Sequence, residues 1–207
     1  MKQYLNMLLE GQQLSREDTH TIMVNMTKEA YNEHQIAALL MGIQMRGATV
    51  DELLGFRDGL LETGKHINLD DYNTLDIVGT GGDHAHSFNI STTSALVAAA
   101  GGMKVAKHGN RAASSKCGTA DCLEALGVNI DLAPEKCRQL LEEVGICFLF
   151  AQKYHTSMKY VGPIRRELGI RTVFNILGPL TNPASPKVQL LGVYDEYLTD
   201  QIGRAHV

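Results

Sequence analysis

Asp76-Ile77-Val78-Gly79-Thr80-Gly81-Gly82-Asp83 is the stretch that decides how this chain is read. A short β-like run, Leu75 to Val78, stops at Gly79, and three glycines fall within four positions. Residues without a Cβ let the backbone turn several N–H groups toward one anion and approach it closely. Asn89-Ile90-Ser91-Thr92 then opens a helix of small residues, read from Ser91 to Ala100 and closed by Gly101-Gly102. Unpaired amides and the dipole at such a helix start favour a phosphate or diphosphate. The plain alternative is a tight turn followed by an ordinary Ser/Thr cap. The spacing fits neither G-x-G-x-x-G nor G-x-x-x-x-G-K-[ST], which disfavours dinucleotide and Walker-type readings.

Outward from this loop the pattern repeats. Met103 to Ala106 is a second β-like run, ending at Lys107-His108-Gly109-Asn110-Arg111 and leading to Ala112-Ala113-Ser114-Ser115. Val128 to Leu132, Ile146 to Phe150 and Val188 to Val193 read as further strands. Helices from Thr119 to Leu126 and from Pro134 to Val144 lie among them. Such alternation predicts an α/β fold with a mainly parallel central sheet and helices on its faces. Ligands of parallel sheets sit beyond the carboxyl ends of the strands, so the two loops are expected on one rim. Lys107, His108 and Arg111 beside Gly109 suit an oxygen-rich anion, with a solvated basic turn as the alternative. Pro163, after Gly162, is expected to begin a helix.

The first 65 or so residues read as four helices of a small bundle. Ser15-x-x-Asp18, Asn32-x-x-Gln35 and Thr49-x-x-Glu52 are capping-box signals, and Ile36, Leu39, Leu40 and Ile43 form one apolar stripe. Gly47 and Gly64 are placed where left-handed C-caps belong. The bundle's apolar faces exceed what so short a segment buries, so it is expected to pack on the rest of the chain or on a second copy. Met7, Met23, Met26, Met41 and Met45 read as core filler.

Bulk properties narrow the function classes. A formal charge of −4, with Lys and Arg scattered, gives no electrostatic reason for nucleic acid as a partner. No apolar run approaches the length of a membrane span, and the start carries no signal-peptide pattern; a cytoplasmic location without a membrane partner is expected. Cys117, Cys122, Cys137 and Cys147 show no C-x-x-C spacing and read as reduced thiols at partly buried positions. His84-Ala85-His86 reads as a solvent-facing loop rather than a metal site.

Gly79-Thr-Gly-Gly-Asp83, Asn89-Ile-Ser-Thr92, Lys107-His-Gly-Asn-Arg111 and Val161-Gly-Pro-Ile-Arg-Arg-Glu-Leu-Gly169, in this order, resemble the anthranilate phosphoribosyltransferase family. Arg171-Thr-Val-Phe-Asn-Ile-Leu-Gly-Pro-Leu-Thr-Asn-Pro183 extends the resemblance, which runs to about Asp200. It implies a helical domain over 1–70, joined by helices around 163–185, and a partial α/β domain over 71–200 that binds phosphoribosyl diphosphate. It further implies that Gly79, Gly82, Asp83, Ser87, Asn89, Ile90, Ser91 and Thr92 hold the donor. Lys107, His108, Gly109, Asn110, Arg111, Ala112, Ala113, Ser114, Ser115 and Thr119 would form the second wall. Ser91 would ligate Mg²⁺, and Gly79, Asn110 and Arg165 would contact anthranilate, with the Arg165 guanidinium suited to its carboxylate. No general base is assigned; His108 is a candidate. A homodimer is implied as well.

The family's adjacent Asp-Glu pair for magnesium is not found; Asp195-Glu196 resembles an ordinary turn. Residues 201–207 depart from the family and match one reading frame of a common sequencing-library adapter, so they are expected to be a non-native tail. A sheet lacking strands, an unpaired edge and an inactive fragment are the corresponding expectations. The alternatives are a pyrimidine-nucleoside phosphorylase-like enzyme and a non-catalytic nucleic-acid-binding relative.

Overall fold

The computed structural model of the chain describes residues 1–81, 87–111 and 117–206. In chain order, α1 (Lys2–Leu9), α2 (Arg16–Thr27), α3 (Glu33–Arg46) and α4 (Val50–Thr63) precede β1 (Thr74–Gly79), α5 (Ile90–Ala100) and β2 (Lys104–Gly109). Next come α6 (Thr119–Ala125), α7 (Pro134–Val144), β3 (Ile146–Phe150) and α8 (Ala151–Tyr154). Last are α9 (Met158–Leu168), α10 (Val173–Leu180), β4 (Val188–Gly192) and α11 (Tyr197–His206). The chain divides into two compact units. One holds residues 1–64, 155–181 and the segment from Asp195 onward; the other holds 65–154 and 182–194.

In the first unit the capping signals form as spelled. Ser15 Oγ accepts from the Asp18 amide at 3.0 Å, and Asp18 Oδ2 accepts from the Ser15 amide at 3.0 Å. Asn32 with Gln35, and Thr49 with Glu52, exchange the same two bonds at 2.9–3.2 Å. Each box satisfies two amides that a helix start otherwise leaves open. The stripe Ile36, Leu39, Leu40 and Ile43 is buried, each side chain contributing roughly 1.5–3 kcal/mol of hydrophobic stabilisation. Phe56 of α4 lies 6.5 Å, centroid to centroid, from Phe174 of α10.

The second unit is a four-stranded, all-parallel sheet in the order β3-β2-β1-β4. Neighbouring strand residues point to opposite faces. Val105 of β2 packs with Ala95 of α5, whereas Ala106 packs with Leu141 of α7, so these helices cover opposite faces. α6 joins the α5 side through Ala120 and Leu123 against Phe148 and Phe150. β4 ends the order, and Val188 and Leu190 stay exposed along it.

Several local expectations need correction. Residues 128–132 form no strand. Ile130 enters the cluster on the α6 side, Leu132 packs on the α7 side, and the Asp131 amide donates to Asn129 Oδ1 at 2.9 Å. The apolar alternation belongs to a connection that crosses from one face of the sheet to the other. Pro163 lies inside α9, at its sixth residue, rather than at its start; there it removes the bond its N–H would make to the Lys159 carbonyl, and its ring crowds that carbonyl. Gly64 leaves α4 in extended backbone (φ −80°, ψ 166°), and Gly47 combines φ 86° with ψ 136°, so neither is a left-handed helical cap. Met45 is 83% exposed, unlike the buried Met23 and Met26. Cys117 is exposed in a loop, while Cys137 and Cys147 are buried, and none of the four cysteines forms a disulfide.

Candidate anion site on the sheet rim

The rim of the second unit is built where β1 and β2 end. A Cβ on Gly79 would lie 3.5 Å from the Gly192 carbonyl oxygen and 4.0 Å from Ser91 Oγ. Any side chain there would grow into the space before Ser91. Gly81 adopts φ +67°, which non-glycine residues rarely do. Gly109 is required by close approach: a Cβ would meet the Phe148 ring at 3.0 Å and Thr119 Cβ at 3.3 Å.

The start of α5 differs from those of α2, α3 and α4. Its N-cap, Asn89, has φ −70° and ψ 73° and makes no side-chain cap bond. Its amide instead donates to Cys117 Sγ at 3.5 Å. Among the described residues, the Ser91 and Thr92 N–H groups find no acceptor. Two open amides at the positive end of a helix are the chemistry of an anion site. Thr92 Oγ1 donates to Thr119 Oγ1 at 3.3 Å, and the Ala120 amide donates to the Asn110 carbonyl at 3.3 Å. Those bonds tie α5, the end of β2 and the start of α6 into one corner. Ser87 and Ile90 are exposed there; Asn89 and Ser91 are half-buried.

Beneath the rim lies a buried polar cluster. Asp76, wholly buried in β1, accepts from the His108 amide at 3.3 Å, Asn182 Nδ2 at 2.9 Å and Gln189 Nε2 at 3.4 Å. Asn182 Nδ2 also donates to the Ala106 carbonyl at 2.9 Å. Lys107 is 2% exposed, and its ammonium donates to the Ile77 carbonyl. Burial pushes the Asp76 carboxyl up and the Lys107 ammonium down, while each is drawn back by the other's charge. His108 is buried too, so a solvated basic turn is excluded for both residues. Arg111 is exposed and engaged at home. It pairs with Asp121 at 3.1 Å and Glu124 at 2.9 Å, with its guanidinium 5.7 Å from the Phe150 centroid.

Of the expected donor residues, Gly79, Ser87, Asn89, Ile90, Ser91, Thr92, Lys107, His108, Gly109, Asn110, Arg111 and Thr119 all belong to this unit. Gly82, Asp83, Ala112, Ala113, Ser114 and Ser115, with His84 and His86, lie outside the described residues. Among the described residues no group of three His, Cys, Asp or Glu could hold a metal ion. Ser91 offers one hard oxygen at the open helix end, which fits a magnesium ion that arrives with a diphosphate, as such ions commonly do. Asp76 and Asn182 were not singled out from sequence. The signal was there: a carboxylate inside an apolar strand is rarely buried without assigned partners.

Arg165 belongs to the first unit, on α9. Its Nη2 donates to Asn175 Oδ1 at 3.2 Å, and its guanidinium lies 5.7 Å from the Phe174 centroid. Burial lowers its pKa to about 10, which leaves it cationic at neutral pH.

The pattern of the glycosyl transferase family, a/b domain, matches residues 71–206, and that of the same family's helical bundle domain matches residues 2–64. An anthranilate phosphoribosyltransferase from Mannheimia succiniciproducens is 51% identical over 95% of this chain and 58% of its own length. One from Lachnoclostridium phytofermentans is 48% identical over 99% of this chain and 60% of its own. Among solved structures, the enzyme of that name from Thermus thermophilus superposes with a TM-score of 0.89 at 42% identity, covering 98% of this chain and 62% of that one. The Saccharomyces cerevisiae enzyme, solved in complex with PRPP and Mg, gives 0.86 at 30% identity over 98% and 61%. The chain thus spans less than two thirds of the length of these relatives.

Proposed function

The chain belongs to the glycosyl transferase family, carrying both its helical bundle and its α/β domain, and on that premise we propose that it serves phosphoribosyl transfer from phosphoribosyl diphosphate to the amine of anthranilate. The observation that carries the reading is the open start of α5, where the Ser91 and Thr92 amides find no acceptor among the described residues, beside a glycine-built corner. Relatives named for this activity, one of them solved with PRPP and Mg, support it over the phosphorylase and nucleic-acid alternatives.

In this reading the donor's diphosphate lies against the α5 amides, with Gly79 leaving the backbone bare for it and Gly109 letting the end of β2 pack close to Phe148 and Thr119. Ser91 would hold magnesium by its hydroxyl, and the ion would supply the charge that makes diphosphate a better leaving group. Asn110 and the end of β2 line the ribose side; Lys107 contributes a buried positive charge under the same loops. The bond from ribose carbon 1 to diphosphate oxygen breaks with oxocarbenium character, as in glycoside cleavage. The anthranilate nitrogen then bonds that carbon and gives up a proton. Positioning and charge stabilisation account for the acceleration, and no base among these residues is required. Arg165 takes the acceptor's carboxylate. Gly82, Asp83, Ala112, Ala113, Ser114 and Ser115 complete the donor loops, and a cytoplasmic homodimer belongs to the same reading.

Calorimetry is the test. With Mg²⁺ supplied, phosphoribosyl diphosphate should bind saturably to the chain, and Gly79→Val should abolish that heat. Equal binding by both proteins, or none by the wild type, would overturn the assignment.

A further inference from the structure

The run Arg171–Pro183 carries family resemblance without an assigned role. Within the first unit its Asn175 touches two groups at once. Asn175 Oδ1 accepts from the Thr172 amide at 3.0 Å, closing the start of α10, and from Arg165 Nη2 at 3.2 Å. Phe174, the preceding residue, lies 5.7 Å from the same guanidinium. Arg165 thus rests on a neutral oxygen and an aromatic ring. Among the described residues no carboxylate pairs with it, and its buried Nε has no hydrogen-bond partner. Contrast Arg46, which ends against the Glu52 carboxylate.

A half-buried cation held by neutral groups is costly unless an anion arrives from outside. The geometry points to Asn175 as a positioning and specificity-determining residue: it orients the Arg165 fork without neutralising it, reserving that charge for the carboxylate of an aromatic amine acceptor. An amide does this where a carboxylate of nearly the same shape would form an internal pair and compete with the ligand. Neutral Oδ1 fixes direction; the missing charge preserves demand. This inference rests on the proposed acceptor, and it assigns discrimination between carboxylated and carboxylate-free amines to the third residue of α10.

Asn175→Asp isolates the effect, because it keeps an oxygen for the Thr172 amide while adding the charge. Anthranilate binding would be followed by its own fluorescence, with Mg²⁺ and phosphoribosyl diphosphate present, and aniline would serve as the carboxylate-free competitor. Asn175→Asp is expected to weaken anthranilate on the order of 10- to 100-fold while aniline changes little. Asn175→Ala, which loses the cap as well, should weaken anthranilate less. A purely structural role predicts the reverse order, since Asp preserves the helix cap and Ala does not. Alanine as the worse variant, or equal losses for both ligands, would overturn the inference. A wild-type chain that ignored anthranilate would instead overturn the proposed function.

Discussion

α4 and α5 begin in opposite ways. At the start of α4, Thr49 and Glu52 exchange two bonds at 3.2 and 2.9 Å, and Glu52 Oε1 also accepts from the Leu14 amide at 2.9 Å. At the start of α5, Asn89 caps nothing, although Asn is among the best capping residues. In the first unit α2, α3 and α4 close their starts with their own side chains, whereas in the second the start of α5 has no side-chain cap above a buried polar cluster. An open helix start amid glycines reads as a place for a ligand.

The largest effect is expected beneath the open end. Asp76→Ala takes one acceptor from the His108 amide, Asn182 and Gln189, and removes a countercharge from Lys107. It should cost on the order of 3–5 kcal/mol, read by urea denaturation. A loss below about 1 kcal/mol would show that the cluster does not support the rim.

That cluster also marks the boundary of what the sequence made legible. Caps are local: Ser15, Asn32 and Thr49 each find a partner three residues on, so spelling sufficed. Strand ends and glycine loops are nearly as local, and β1, β2, β3 and β4 appear close to their expected places. Asp76, Asn182 and Asn175 act through partners that only the tertiary fold brings near. Asn182 reaches Asp76 across more than a hundred residues, and no periodicity records it. Residues 128–132 misled for a related reason: side chains that alternate between two cores resemble a strand when no ladder is visible. Gly64 misled because a glycine after a helix signals freedom of φ, not its use.

The comparison itself is tested more gently at the caps. Thr49→Ala and Asn32→Ala should each lower stability by about 1 kcal/mol. Asn89→Ala, at a position that caps nothing, should cost under about 0.5 kcal/mol without ligand. Thermal denaturation of the three variants side by side reads this, and a larger loss at Asn89 would break the contrast.

The smallest expected effect is a pH response that stays flat. A guanidinium is charged below its pKa, so lowering Arg165 to about 10 removes its charge only above that value. Anthranilate affinity should therefore hold steady between about pH 6 and pH 9. A fall across that window would assign the carboxylate to a group other than Arg165.

The most direct measurement is amide by amide. A ¹⁵N-labelled chain titrated with phosphoribosyl diphosphate and Mg²⁺ should show the Ser91 and Thr92 N–H signals shifting to saturation, together with Gly79 and Gly81. The capped amides of Asp18, Gln35 and Glu52 should stay where they are. Shifts that spared Ser91 and Thr92, or that moved capped and uncapped amides alike, would contradict the account.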